Sequence, residues 1–79
     1  MKRISVEYFA ILRERAGRDR EILETSTSTP ADLFAELQSR YNFPVMTSIK
    51  VAINDEFADW QHKLQDGDTV VFIPPVAGG

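Results

Sequence analysis

The chain has 79 residues, of which 43% are hydrophobic and 27% charged, a composition that suits one small soluble domain with core enough for one sheet and one or two helices. Its net charge of −3 argues against nucleic-acid binding, and the absence of cysteine excludes disulfides, thiolate metal sites and thiol nucleophiles. Neither a membrane-spanning apolar run nor a cationic leader is present, so we expect a cytoplasmic protein.

The first elements show clear local patterns. Ile4, Val6 and Tyr8 alternate with polar residues, which predicts a half-buried strand. Phe9 then falls on the polar face, where it either packs at the sheet edge or forms an exposed anchor for a partner. Residues 10–16 are mostly good helix formers followed by a glycine, which predicts a short helix.

A second strand and the main helix follow. Residues 21–24 predict a short strand that returns onto the first one. Thr29 and Pro30 have the residue types preferred at a helix N-cap and at the first helical position. Apolar residues then recur at helical spacing and predict the stripe that covers the sheet: Leu33, Phe34, Leu37 and Tyr41.

The last third of the chain predicts two more strands. Residues 49–53 alternate and end at the turn signal Asn54-Asp55, while residues 56–63 are irregular or contain a short strand. An Asp-Gly turn at Gly67 leads into residues 70–73, an apolar run typical of a strand buried on both faces. The pattern predicts an α+β fold in which one main helix and a short helix pack on a mixed sheet. The opening and closing strands, being the most apolar, should lie side by side at its centre, where parallel pairing is possible.

The end of the chain carries the strongest functional signal. Pro74 and Pro75 cannot donate to a sheet ladder, and they favour a stiff, extended segment. We therefore expect residues 74–79 to project from the domain by up to about 20 Å. The final Gly78-Gly79 is either a frayed terminus or a backbone slender enough to enter a narrow tunnel in another protein.

Conventional catalytic chemistry is missing from the sequence. His62 is the only histidine, and we predict no metal site, phosphate loop or catalytic triad. The remaining reactive group is the carboxylate of Gly79, which is ionised at neutral pH and needs activation by another enzyme, most simply as an acyl adenylate made from ATP. From residue 51 on, five acidic residues face only Lys63, so this half either meets a basic partner or is simply solvated.

Two motifs carry a family resemblance. The closing motif Leu64-x-Asp66-Gly67-Asp68-x-Val70-x-Phe72-x-Pro74-Pro75-Val76-x-Gly78-Gly79 and the opening motif Val6-x-Tyr8-Phe9-Ala10-x-x-Arg13-Glu14-x-x-Gly17 resemble the small subunit of molybdopterin synthase, the MoaD family. The resemblance implies a ubiquitin-like β-grasp fold over residues 1–79. It also implies a sulfur carrier in molybdenum cofactor biosynthesis, a non-catalytic subunit that binds no cofactor itself.

In that family's cycle, an adenylyltransferase resembling ubiquitin-activating enzymes would use ATP to adenylate Gly79. A sulfurtransferase would convert it to a thiocarboxylate, and the large synthase subunit would receive the sulfur to build the molybdopterin dithiolene. The resemblance implies two groups of contact residues. The tail in the partner's tunnel would comprise Pro74, Pro75, Val76, Ala77 and Gly78, and the partner surface would comprise Phe9, Arg13, Phe72 and Ile73.

Three alternatives stay open at this point. A thiamin-pathway carrier of the ThiS type also ends in Gly-Gly, although the Pro-Pro-Val-x-Gly-Gly ending fits the synthase subunit better. A ubiquitin-like modifier would be conjugated to lysines through Gly79. A plain interaction module would make no use of its tail at all.

Overall fold

The structure is a computed structural model that describes residues 1–43 and 48–75. Within those ranges it contains five strands and two helices. In chain order they are β1 (Lys2–Tyr8), α1 (Ala10–Ala16), β2 (Arg20–Thr25), α2 (Pro30–Tyr41), β3 (Lys50–Ile53), β4 (Glu56–Ala58) and β5 (Thr69–Ile73).

All five strands form one mixed sheet in the order β2-β1-β5-β3-β4. β1 and β5 pair in parallel, whereas the β1–β2, β3–β5 and β3–β4 pairs are antiparallel. The predicted α+β class and the predicted adjacency of the first and last strands are confirmed. The strand that leads to the chain end is therefore the central strand of the sheet.

Cap geometry confirms the predicted start of α2 at Thr29 and the predicted end of α1 at Gly17. Thr29 adopts extended backbone angles, and its Oγ1 accepts a hydrogen bond from the backbone N–H of Asp32 at 3.2 Å. At the C-terminal end of α1, Gly17 has a φ of 75°, and its N–H donates to the carbonyl of Arg13 at 2.9 Å. Glycine adopts this left-handed conformation without a steric penalty, so it ends α1.

The core lies on one face of the sheet, under α2. Leu33 and Leu37 of α2 are fully buried, and the ring of Phe34 lies 5.0 Å from that of Phe72 on β5. The opposing side chains from the sheet are those at alternate positions of β1 and β5: Ile4, Val6, Tyr8, Val70 and Phe72. The predicted helix stripe is confirmed, since Phe34 and Tyr41 also pack against this core.

The prediction that β5 is buried on both faces was wrong. Val70 and Phe72 have no exposed surface, but Val71 and Ile73 are only partly buried. The reason is that both helices of the described chain pack on one face, which leaves an outer face uncovered. Phe72, predicted to belong to the partner surface, instead lies in the core, where its ring stacks on Trp60 at a centroid distance of 5.8 Å.

A tight hairpin joins β3 to β4. Asn54 and Asp55 have φ values of 52° and 72°, the left-handed angles that a two-residue turn of this kind requires at both central positions. Asparagine and aspartate tolerate those angles better than other residues with side chains. The turn signal is thus confirmed, and of the two alternatives for residues 56–63 the short strand is the one observed.

A polar network fixes the start of β5. The Nδ2 of Asn54 donates to Oδ1 of Asp68 at 3.0 Å, and Oδ1 of Asn54 accepts from the N–H of Thr69 at 3.0 Å. Oδ2 of Asp68, in turn, accepts from the N–H of Gln65 at 2.8 Å. Asp68 is 8% exposed, so these bonds satisfy a nearly buried carboxylate.

Neither α1 nor α2, the helices of the described ranges, is long and apolar enough to cross a membrane.

Candidate functional site: the chain end and the outer sheet face

The chain leaves the sheet at the end of β5. Pro74 is buried and Pro75 is exposed, so Pro74, predicted as the first projecting residue, is packed against the domain. Two consecutive residues without an N–H end the ladder at this point. The other predicted tail residues lie outside the described residues: Val76, Ala77, Gly78 and Gly79.

Beside this exit, the outer face of the sheet carries an apolar depression of about 300 Å³. Phe9 is 45% exposed and Phe57 is 74% exposed, which is unusual for phenylalanine in a domain with a well-formed core. We call this surface the outer patch and define it by its apolar lining residues: Phe9, Ala52, Phe57, Val71 and Ile73.

Strand register explains how the outer patch is assembled. Val71 of β5 is paired with Ala52 of β3, and Ala52 is paired with Phe57 of β4. Paired residues point to the same face, so these three side chains form one row across the sheet. Because the central one is only a methyl group, the row forms a depression between larger neighbours. Ile73 follows Val71 two positions along β5, and it therefore shares the same face.

Phe9 reaches the outer patch from the corner between β1 and α1. Its own backbone is extended, with φ of −128° and ψ of 152°. The next residue, Ala10, has a positive φ of 53°. A left-handed alanine costs on the order of 1 kcal/mol, so the corner is a strained one. The predicted alternatives for Phe9 were edge packing and an exposed anchor, and its exposure favours the second.

The border of the outer patch is mainly acidic. Glu7 and Asp55 line the depression on its β1 and hairpin sides. Lys50, which is paired with Ile73 in the β3–β5 ladder, is exposed at the end from which residues 74–79 continue. The patch thus combines an apolar centre with acidic neighbours and one basic neighbour near the chain exit.

The four residues predicted for a partner surface divide into three groups. The structure brings Phe9 and Ile73 together in the outer patch. Phe72 faces the core, as described above. Arg13 is exposed on α1, where its guanidinium lies 3.8 Å from the carboxylate of Asp19, and it does not line the depression. Phe57 was not predicted as a site residue, although an aromatic residue two positions after the turn signal Asn54-Asp55 could have indicated a strand at this point.

The lone histidine lies at the β4 edge. His62 is exposed and lines a second depression of about 380 Å³, together with Glu56 and Asp59. In the ranges that the structure describes, no three side chains of histidine, cysteine, aspartate or glutamate come together as a potential metal site.

A polar cluster that was not predicted from the sequence lies on the other face of the sheet. The hydroxyls of Tyr8 and Tyr41 both donate to Oε2 of Glu21 at 2.6 Å, and Arg18 lies 3.4 Å from Oε1. Burial, together with the hydrogen bond to Glu21, raises the pKa of both tyrosines above the ordinary value. The cluster connects β1, β2 and the end of α2, so its evident role is to hold α2 on the sheet.

Comparison with known proteins identifies the family. The model of the ThiS family matches residues 6–79, nearly the whole chain. The chain belongs to the ThiS family. Among curated relatives, a molybdopterin synthase sulfur carrier subunit from Chlamydomonas reinhardtii is 37% identical over 96% of this chain and 98% of its own length. The corresponding subunit from Mycobacterium tuberculosis is 35% identical over the full length of both chains.

A solved structure extends the comparison to the fold. The small archaeal modifier protein 1 (SAMP1) of Methanosarcina acetivorans superposes with a TM-score of 0.79 at 26% identity, covering 100% of this chain and 98% of that one. The ubiquitin-like β-grasp fold predicted from the two motifs is confirmed by this likeness. The predicted resemblance to the sulfur carriers is confirmed as well, because curated relatives with that name align over nearly the whole chain.

Proposed function

We propose that this protein is the sulfur carrier subunit of molybdopterin synthase. The observation that carries the proposal is that curated subunits of that name align over nearly the full length of the chain, and that the family match extends to Gly79. ThiS-type carriers of the thiamin pathway are the neighbouring alternative, but both of these curated relatives carry the molybdopterin synthase name.

The proposed reaction takes place on the carboxylate of Gly79. An adenylyltransferase joins this carboxylate to the α-phosphate of ATP, and pyrophosphate leaves. A sulfur donor at the oxidation level of sulfide, delivered by a sulfurtransferase, then displaces AMP: a carbon–sulfur bond forms and the carbon–oxygen bond to AMP breaks. The thiocarboxylate sulfur then bonds to a carbon of the pterin precursor. Water attacks the carbonyl carbon of the resulting thioester and breaks its carbon–sulfur bond, which leaves the sulfur on the pterin and restores the carboxylate of Gly79. This chemistry needs no cysteine side chain, and the chain has none.

The outer patch is the proposed docking surface for the large synthase subunit. Exposed aromatic side chains around an apolar depression are the usual anchors of protein interfaces. Glu7 and Asp55 beside it favour a partner with basic residues around an apolar centre. Ile73 belongs to this patch and immediately precedes Pro74, so a partner seated here would be placed to receive the tail. We expect these steps to take place in the cytoplasm.

Mass spectrometry of the intact protein tests the proposed chemistry. After incubation with the adenylyltransferase, ATP and a sulfur source, the chain should gain the mass difference between one sulfur and one oxygen atom. A variant that lacks Gly78 and Gly79 should show no gain while keeping its thermal midpoint, because chain ends contribute little to the fold. An unchanged mass of the wild-type protein under these conditions would refute the carrier function.

A pair of matched variants tests the docking surface. Phe57→Asp places a charge in the outer patch, whereas Ile22→Asp makes the same change at a comparably exposed position, 67% against 74%, on the opposite edge strand. Loss of an aromatic anchor should weaken binding of the large subunit more than about tenfold. Ile22→Asp should leave that affinity unchanged. Equal effects of the two substitutions would show that the patch is not the docking surface.

A second candidate function is conjugation to other proteins. It is favoured by the likeness to a structure named as a small archaeal modifier protein, a chain of the same fold and length. In that case Gly79 would form an isopeptide bond with lysine side chains, again after adenylation. Immunoblots of cell lysate would show heavier covalent species that disappear when Gly78 and Gly79 are deleted, whereas a pure carrier would give a single band.

A further inference from the structure

The edge strand β2 presents an unusual surface. Ile22, at its centre, is 67% exposed, and both Arg20 and Glu24 beside it are exposed on the same outer face. Within the part of the chain that the structure describes, β2 is paired on one side only, with β1. This edge lies across the sheet from Phe57, so it is a surface separate from the outer patch.

The hydrogen bonds between β1 and β2 show which backbone groups of β2 are left to pair with another strand. The N–H of Tyr8 donates to the carbonyl of Asp19 at 2.8 Å, and the β1–β2 register continues that pairing with Glu7 opposite Arg20. Backbone groups alternate in direction along an antiparallel strand. Odd-numbered residues of β2 therefore bond to β1, and Arg20, Ile22 and Glu24 point their N–H and C=O groups outward.

We propose that two copies of this chain associate by pairing β2 with β2 antiparallel, about a two-fold axis through Ile22. This register is one that the outward backbone groups allow, because it pairs Ile22 with Ile22 and Arg20 with Glu24 in hydrogen-bonded positions. Shifting the register by two residues in either direction, the smallest shift that keeps outward backbone groups paired, would place Ile22 opposite Arg20 or opposite Glu24. The sequence around Ile22 thus complements itself in one register.

Charge supports the same register. Edge strands usually avoid pairing by carrying charges, especially lysines, that repel a second copy. Here the two charges have opposite signs and lie symmetrically about Ile22, so a second copy turned by the two-fold axis meets each charge with its opposite. Glu24 lies 3.8 Å from Arg3 of its own chain, but both side chains are more than half exposed, and such a pair is easily rearranged.

The geometry also fixes what such a dimer would look like. A two-fold axis perpendicular to the sheet joins the two sheets edge to edge and keeps both outer faces on the same side. The two outer patches, on the strands beyond β1, stay uncovered, so the dimer is compatible with the proposed function but does not depend on it. One strand pair buries less than the roughly 1,200 Å² typical of a stable complex, so we expect a dissociation constant between about 10 µM and 1 mM.

Sedimentation equilibrium over that concentration range tests the proposal. The average mass of the wild type should rise from 9.0 kDa towards twice that value. In the same samples, amide exchange at residues 20, 22 and 24 should slow as the concentration increases. A wild-type chain that stays at 9.0 kDa up to about 2 mM would overturn the proposal, since such a dimer would be too weak to matter.

Substitutions in β2 test the register. Ile22→Lys sets two like charges against each other at the axis and should raise the dissociation constant about tenfold or more, with an unchanged thermal midpoint because the side chain is exposed. Phe57→Lys is the matched control at the other edge and should leave the association unchanged. If Phe57→Lys abolishes association and Ile22→Lys does not, the chain associates through its outer patch, and the proposal fails.

A charge swap gives the most specific result. Arg20→Glu and Glu24→Arg should each weaken the association, because each places like charges opposite one another on both sides of the axis. The double variant should restore it. Since Arg20→Glu also faces Glu7 within the chain, thermal midpoints are recorded alongside to separate stability from association. If the double variant associates no better than either single one, the Arg20–Glu24 pairing is wrong.

Discussion

Phe72 and Ile73 are neighbours on β5, but an alanine substitution should mainly reduce stability at Phe72 and mainly reduce partner binding at Ile73. Phe72 has no exposed surface and contacts the rings of Phe34 and Trp60, so Phe72→Ala should cost about 3–5 kcal/mol. A domain of 79 residues has a free energy of unfolding of roughly 4–12 kcal/mol, so this substitution would remove a large share of its stability. Ile73 is only partly buried, on the outer face, and Ile73→Ala should cost about 1 kcal/mol.

Urea unfolding followed by circular dichroism measures both costs. Fluorescence is a poorer probe, because Trp60 stacks on Phe72 and would respond to the substitution directly. The second measurement is the affinity of each variant for the large subunit. Ile73→Ala should weaken it, and the milder Phe72→Leu, which should remain folded, should not. Equal losses of stability at the two positions, or a loss of binding that follows Phe72 instead of Ile73, would refute the assignment of the two faces of β5.

Two further predictions concern local features of the fold. Thr29→Ala removes the N-cap bond of α2 and should cost about 1 kcal/mol, or roughly 4–8 °C in the thermal midpoint; Thr29→Ser keeps the hydroxyl and should cost less, and equal melting of the two variants would contradict this role of the cap. Burial and the bond to Glu21 raise the folded-state pKa of Tyr8 and Tyr41, so above the ordinary value of 10.0 the unfolded chain loses protons that the folded chain retains. The free energy of unfolding should therefore be constant with respect to these groups below pH 10 and fall above it, by up to about 1.4 kcal/mol per pH unit for the buried Tyr8 and by less for the more exposed Tyr41. Urea titrations between about pH 9 and 11 measure this slope, Tyr8→Phe should reduce it, and native tyrosines that ionise at the ordinary pKa would contradict it.

The parts of the fold that local chemistry controls could be predicted from the sequence. A capping threonine before a proline predicted where α2 begins, and a glycine that tolerates a positive φ predicted where α1 ends. Alternation along β1 predicted which of its residues face the core. In each case the deciding interaction lies within a few residues of the chain, so the pattern contains the information needed.

Sidedness in β5 could not be predicted, because four consecutive apolar residues show no alternation to read. Which of them faces α2 depends on register with β1 and β3, and that register is fixed by contacts far away in the sequence, among them the bond from Asn54 to Asp68. This is why Phe72 was assigned to the wrong face. The cluster of Tyr8, Glu21 and Tyr41 likewise joins three elements and has no local signature.

The same central strand connects stability with the proposed function. β5 is held at its start by Asp68 and at its sides by β1 and β3, and it buries Phe72 in the core while presenting Ile73 to the outer patch. Since Ile73 and Gly79 are six residues apart, full extension limits their separation to about 20 Å. A partner that binds the outer patch must therefore place its reactive centre within about 20 Å of Ile73. A sheet edge or a loop would hold the origin of the tail less firmly. Under the proposed function, this is a physical reason for the tail to start from the central strand of the sheet.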